Sequence, residues 1–136
     1  MKRILLDTHI FLWWLDDGLV KNIDSEVFSL IANPKNEVYV SVASLWEINI
    51  KKSIGSLIAP SDLEDIIEKK GFSILAIKPF HTDQVGSMPY VNYPDKDKLH
   101  RDPFDRMLVV QAQAEGMHLV SSDKVFPQYP VRLIKN

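Results

Sequence analysis

Cysteine is absent from all 136 residues, which excludes disulfides and thiolate metal sites and fits a reducing cytosol without proving one. Long apolar runs are missing too. Nothing approaches the roughly 18 residues that a membrane span needs, and the first hydrophobic stretch lacks the length and cleavage site of a signal peptide. The expectation is a cytoplasmic protein with no membrane association. A basic surplus is also lacking: the formal net charge is −2. A nucleic-acid ligand would therefore need a local group of Lys and Arg, or bound cations, to draw its phosphates. There is no Gly-rich phosphate loop, no internal repeat and no low-complexity segment. The serines lack a convincing His and acid arrangement, which leaves covalent catalysis unsupported.

What is present is an ordinary globular composition, 46% hydrophobic and 25% charged, long enough for one domain spanning residues 1–136 to bury a core unaided. Short β-rich stretches alternate with helical ones. Arg3-Ile4-Leu5-Leu6 reads as a buried strand, followed by Asp7-Thr8-His9 and an apolar helix from Ile10 to Leu15 that Asp16-Asp17-Gly18 closes. Residues 24–32 have helical spacing. Glu37-Val38-Tyr39-Val40 is a second strand, running into a helix through Ser41-Val42-Ala43-Ser44-Leu45-Trp46-Glu47. An amphipathic helix covers residues 61–70, Phe72-Ser73-Ile74-Leu75 is a third strand, and residues 80–88 are helical with His81 and Asp83 on an exposed face. The stretch 89–101 reads as a loop. Asp102 is a good N-cap and Pro103 suits the first helical position of an apolar helix that Gly116 ends. Met117-His118-Leu119-Val120 is a strand with Asp123 just beyond it, and Val131-Arg132-Leu133-Ile134 is a last, edge strand. His118 is expected to be buried or at an edge. This order predicts an α/β fold with a mainly parallel central sheet.

Four acids stand out by position. Asp7, Glu47, Asp105 and Asp123 each lie just beyond a strand or early in a helix, and each has a local explanation. Asp7 suits an N-cap, Ser44-x-x-Glu47 matches a capping box, Asp105 favours the helix dipole, and Asp123 sits in a small-residue turn. In a parallel α/β sheet, however, strand ends and helix starts share one edge, so the four would converge. Two unit charges ~4 Å apart repel by on the order of 4 kcal/mol at an effective dielectric of 20, which a divalent cation relieves. Hard oxygen ligands, with no Cys and no paired His, indicate Mg²⁺ or Mn²⁺ rather than Zn²⁺. Such an ion binds phosphate oxygens and activates water, so phosphodiester hydrolysis is the natural reaction class. Asp7, Asp105 and Asp123 would hold one or two ions, and Glu47 would complete the shell or orient the attacking water.

Asp7-Thr8-His9 with Phe11-Leu12-Trp13-Trp14, Ser44-Leu45-Trp46-Glu47-Ile48, His100-Arg101-Asp102-Pro103-Phe104-Asp105-Arg106-Met107 and Ser122-Asp123 together resemble PIN-domain ribonucleases. More narrowly, the chain resembles the VapC toxins of prokaryotic type II toxin–antitoxin systems. The resemblance covers nearly the whole chain in order. It implies a three-layer α/β/α sandwich and a Mg²⁺- or Mn²⁺-dependent endoribonuclease that arrests growth by cutting cellular RNA. It also implies inhibition by a small cognate antitoxin and a homodimer. The family's acid quartet falls on Asp7, Glu47, Asp105 and Asp123, with Asp102 as a supporting acid and Thr8, Ser44 and Ser122 as groups behind the ligands. Relatives commonly have a shorter, His-rich approach to Asp-Pro-Phe-Asp, whereas here an insert bearing Tyr, Asp and Lys precedes a single His100. Arg101, Arg106, Lys51, Lys52 and Lys124 are candidate contacts to RNA phosphates, and Tyr90 and Tyr93 candidate stacking surfaces.

Two rivals come from other classes. A phospho-accepting signalling domain would want adjacent acids after the first strand, but Thr8 follows Asp7. A non-catalytic RNA- or protein-binding module of the same fold need not keep all four acids.

Overall fold

Ile4, Leu5 and Leu6 are fully buried, the pattern of a strand covered on both faces. In the computed structural model, which describes Met1–Asn136, they belong to β1 (Arg3–Leu6), the centre of a five-stranded sheet. The other strands are β2 (Glu37–Ser41), β3 (Ser73–Leu75), β6 (His118–Ser121) and β7 (Leu133–Lys135), in the order β3-β2-β1-β6-β7. Every pairing in this sheet is parallel. The chain winds outward from β1 through β2 to β3, then returns to build β6 and β7 on the opposite side. The reversal puts a topological switch point between β1 and β6, where the carboxyl ends of strands part and leave a crevice.

Alternation along β1 sends Ile4 and Leu6 to one face and Leu5 to the other. Ile4 and Leu6 pack with Ile10 and Phe11 of α1 (Thr8–Leu15), Val27 and Ile31 of α2 (Ser25–Ala32) and Leu63 and Ile67 of α4 (Leu63–Lys69). Leu5 packs with Leu108, Val109 and Ala112 of α6 (Pro103–Glu115). Each of the Leu, Ile, Val and Phe side chains buried in this way contributes about 1.5–3 kcal/mol. Between them, α3 (Val42–Ser53) gives Ile48 to the first cluster and Ala43 to the second. The result is the three-layer α/β/α sandwich with a parallel sheet that the resemblance implied. Gly116 caps α6 in the left-handed region at φ 66°, which an L side chain adopts only with strain.

Three local expectations are corrected. The stretch 89–101 is not plain loop: Val91–Asn92 (β4) and Leu99–His100 (β5) pair antiparallel in a small ribbon. The N-cap of α3 is Ser41, whose hydroxyl accepts from the Ala43 N–H at 3.0 Å. Ser44 and Glu47 therefore lie inside the helix and form no capping box. His81, on α5 (Pro79–Ser87), is fully buried rather than on an exposed face. Its Nδ1 accepts from the Lys78 N–H at 3.0 Å, and Nε2 lies 3.1 Å from Glu115 Oε1, tying α5 to α6.

Candidate functional site

Asp7 follows β1 and caps α1. Its backbone N–H donates to Val120 O at 3.1 Å, stitching the β1 end to β6. Oδ1 accepts from the Ile10 N–H at 2.8 Å, and Oδ2 accepts from the Ser121 hydroxyl. The capping role read from sequence is thus real, but it occupies only part of the carboxylate's capacity. Burial dominates the electrostatics and raises the Asp7 carboxyl from 3.8 to about 6, against the hydrogen bonds from Ser121 and Ile10 that favour its charged form. Asp105 adds repulsion.

Asp105 stands in the first turn of α6, its N–H donating to the N-cap Asp102 Oδ1 at 2.9 Å. Burial also raises its carboxyl above the ordinary range. A hydrogen bond from His100 pulls the other way, and the charges of Asp102 and Asp123 push it further up. Asp123 lies two residues past β6; its N–H donates to Ser121 Oγ at 3.0 Å and its Oδ1 accepts from the Val125 N–H at 3.0 Å. Ser121 therefore bridges two of the acids, accepting from the backbone of Asp123 while donating to Asp7.

Asp105 is close enough for its charge to raise the Asp7 carboxyl, and Asp123 close enough to raise that of Asp105. Glu47 is buried too, one turn deeper in α3 than the sequence suggested, and pairs with Lys51 Nζ at 3.0 Å. Thr8 links the two helices, its hydroxyl donating to Ser44 Oγ at 2.9 Å. No three His, Asp or Glu side chains are drawn together tightly enough to hold a metal ion as they stand. The donor chemistry nonetheless fits a hard divalent cation. Asp105 Oδ1, Asp123 Oδ2 and Glu47 Oε1 take no hydrogen bond from the protein, while the other oxygen of each is engaged.

The supporting residues differ from expectation. Ser122 bonds to the Asn136 side chain rather than to an acid, and Ser121, which the sequence reading passed over, takes the place beside Asp7. Arg106 is buried and spent on carbonyls, donating to Met88 O at 2.7 Å and lying 4.0 Å from the Tyr90 ring. It is not free for phosphate. Arg101 and Lys124 are exposed beside Asp102 and Asp123. His100, quoted in the motif without a role, contacts Asp105. Trp46 and Phe104, one residue ahead of Glu47 and Asp105, meet edge to face at 5.2 Å, and Trp46 is 59% exposed. His118 stands at the opposite end of β6 from the acids, its Nδ1 buried without a partner.

The sequence model of the PIN domain matches residues 4–131, nearly the whole chain. The chain belongs to the PIN domain family. No curated protein matches it in sequence. Among solved structures, this PIN domain is similar to VapBC2 from Rickettsia felis bound to a promoter DNA fragment, with TM-score 0.63 and 19% identity over 98% of both chains. It is also similar to FitAB bound to an IR36 DNA fragment, with TM-score 0.60 and 18% identity over 97% of this chain and 94% of that one. VapBC from Salmonella typhimurium bound to DNA gives TM-score 0.58 and 19% identity over 99% and 98% of the respective chains. At these identities the likeness is one of fold. No helix is long and apolar enough to cross a membrane.

Proposed function

We propose that this PIN domain is a Mg²⁺- or Mn²⁺-dependent endoribonuclease of the VapC type, the toxin of a type II toxin–antitoxin pair acting in the cytoplasm. The observation that carries the reading is the approach of Asp7, Asp105 and Asp123 to one another at the switch point of the parallel sheet, with Ser121 bridging Asp7 and Asp123 and burial raising the carboxyls of Asp7 and Asp105. Membership of the PIN family supports a nuclease. The likeness to VapBC and FitAB in fold supports a small antitoxin as the partner; a homodimer as the working form belongs to the same proposal.

Asp7, Asp105 and Asp123 would hold the ion through carboxylate oxygens, and Glu47, once parted from Lys51, would complete its shell or orient the attacking water. When bound, such an ion neutralises the phosphate, lowers the pKa of water and stabilises charge developing in an in-line displacement. Ser121 fixes the orientation of Asp7, and Asp102 fixes the backbone of Asp105. Arg101 and Lys124 supply positive charge for the RNA backbone beside the acids, which a chain of net charge −2 needs locally.

Purified protein is expected to cut RNA with Mn²⁺ or Mg²⁺ present, to stop when EDTA is added, and to lose cleavage in Asp7→Asn and in Asp105→Asn. Cleavage indifferent to EDTA, or unchanged in both variants, would overturn the reading.

A further inference from the structure

His100 is fully buried behind Asp105 with both ring nitrogens engaged. Nε2 lies 3.0 Å from Asp105 Oδ2, and Nδ1 lies 2.7 Å from the Tyr129 hydroxyl. That hydroxyl is in turn 3.2 Å from Arg106 Nη1. A guanidinium only donates, so the Tyr129 oxygen accepts from Arg106 and its one proton is available to His100 Nδ1. Nδ1 then accepts, the ring proton resides on Nε2, and Nε2–H donates to Asp105 Oδ2. The three hydrogen bonds that join Arg106, Tyr129, His100 and Asp105 thus run in one direction.

The chain of bonds is anchored at both ends. Arg106 is 3% exposed and donates to Met88 O at 2.7 Å and Pro89 O at 3.3 Å, just ahead of β4. His100 is paired with Val91 across the ribbon, and the rings of Tyr93 and Tyr129 meet it edge-on at 5.2 and 5.6 Å. Asp105 is thus pinned twice: Asp102 holds its N–H, and His100 holds Oδ2. Oδ1 is left without a protein partner. His81, the other fully buried histidine, bonds to Lys78 and Glu115 and touches none of the acid quartet.

We propose that His100 is a positioning residue that presents Asp105 Oδ1 to the divalent cation, its Nε2–H tautomer fixed by Tyr129 and Arg106. The inference rests on reading the carboxylate edge as a metal site. It gives the 89–101 insert a function: the ribbon delivers the imidazole to the back of the acid. Groups that hold metal ligands in this way are generally worth 10- to 100-fold in metal affinity or activity.

Two measurements on full-length protein test it. Long-range ¹H–¹⁵N spectra of the metal-free protein report the tautomer, and titration with Mn²⁺ alone, followed by electron paramagnetic resonance, reports affinity. The expected parent spectrum is that of the Nε2–H form, giving way to mixed tautomers in Tyr129→Phe. His100→Ala should weaken Mn²⁺ binding about tenfold or more. His100→Gln, whose amide reaches the Nε2 position, should recover most of the loss. His100→Asn, whose amide reaches only the Nδ1 position, should not. Where the Ala variant fails to fold, the Gln and Asn variants decide, compared at matched melting temperature. An Nδ1–H parent, or equal Mn²⁺ affinity in the Gln and Asn variants, overturns the inference. If the parent binds no Mn²⁺, or binds it equally well as Asp7→Asn, the metal reading itself falls and takes this inference with it. Binding that needs Asp7 but ignores residue 100 removes the inference alone.

Discussion

Lys51 Nζ lies 3.0 Å from Glu47 Oε2, one turn along α3, with the Glu47 side chain 8% exposed and that of Lys51 42% exposed. The ammonium neutralises a buried carboxylate where an incoming divalent ion would compete for the same charge. Lys51→Met keeps the packing of the stem and removes the competitor. Mn²⁺ affinity measured by calorimetric titration should rise about fivefold, the equivalent of roughly 1 kcal/mol for a part-exposed pair. The metal-free melting temperature should fall by a few degrees and recover on adding Mn²⁺. Unchanged affinity would mean that Glu47 stays with Lys51 when the ion binds.

Burial sets the pH behaviour of Asp7, whose carboxyl is raised from 3.8 to about 6. A carboxyl raised on folding binds its proton more tightly in the native state, so metal-free stability falls as pH rises from about 4 to about 6 and is flat above. A shift of about two pH units corresponds to on the order of 3 kcal/mol. Asp7→Asn is isosteric: its carbonyl can still accept from Ile10, and its amide can donate to Ser121. In urea melts without metal at pH 7.5 the variant should be more stable by about 1–3 kcal/mol, and the gain should vanish at pH 4. On the proposed metal reading the same variant should also lose the ion, so stability and function should move in opposite directions, as buried acids at working sites lead one to expect.

Much of this was readable from the chain because it is local. Ile4-Leu5-Leu6 and Leu119-Val120 are apolar runs too short for helices, and the acids follow strands in a repeated order that only a parallel sheet makes sense of. Ser41 and Ser44 are both plausible caps three residues apart, and only the register of β2 decides between them; the choice moved Glu47 from the first turn to the second. Ser121 was hidden for a related reason: as the last residue of β6 it is level with Asp7 only because β6 pairs with β1, and that pairing spans most of the chain. The roles of Arg106 and His100 are not legible in the sequence because their burial depends on the ribbon closing over α6. No periodicity within residues 89–106 signals that closure.

His81 separates structural from functional histidine. With Nδ1 accepting from Lys78, its Nε2–H donates to Glu115 Oε1, bridging α5 and α6. His81→Ala leaves a buried cavity and strips the partner from a backbone N–H, at a cost of about 2–4 kcal/mol. Thermal melts should show a fall of roughly ten degrees. Mn²⁺ affinity, measured below that transition, should equal that of the parent. A loss of affinity would mean that the α5–α6 contact shapes the acid edge.

Arg106 and Arg101 sit five residues apart in opposite environments. Arg106 lies in the fold, giving hydrogen bonds to Val85 O, Met88 O, Pro89 O and the Tyr129 hydroxyl, whereas Arg101 is exposed beside the acids. A lysine at position 106 keeps the charge but cannot reach four acceptors in a planar fan or lie flat on Tyr90. Arg106→Lys should therefore cost about 3 kcal/mol, within the range for a broken buried charged network, with a matching loss of melting temperature. Removing a proposed phosphate contact should act differently: Arg101→Ala should leave the melting temperature nearly unchanged and flatten the slope of log affinity for single-stranded RNA against log salt by about 0.7. Binding titrations with Ca²⁺ in place of Mn²⁺, at several salt concentrations, read that slope. If Arg106→Lys were the variant that flattened it while melting like the parent, the guanidinium would be reaching RNA rather than holding the ribbon.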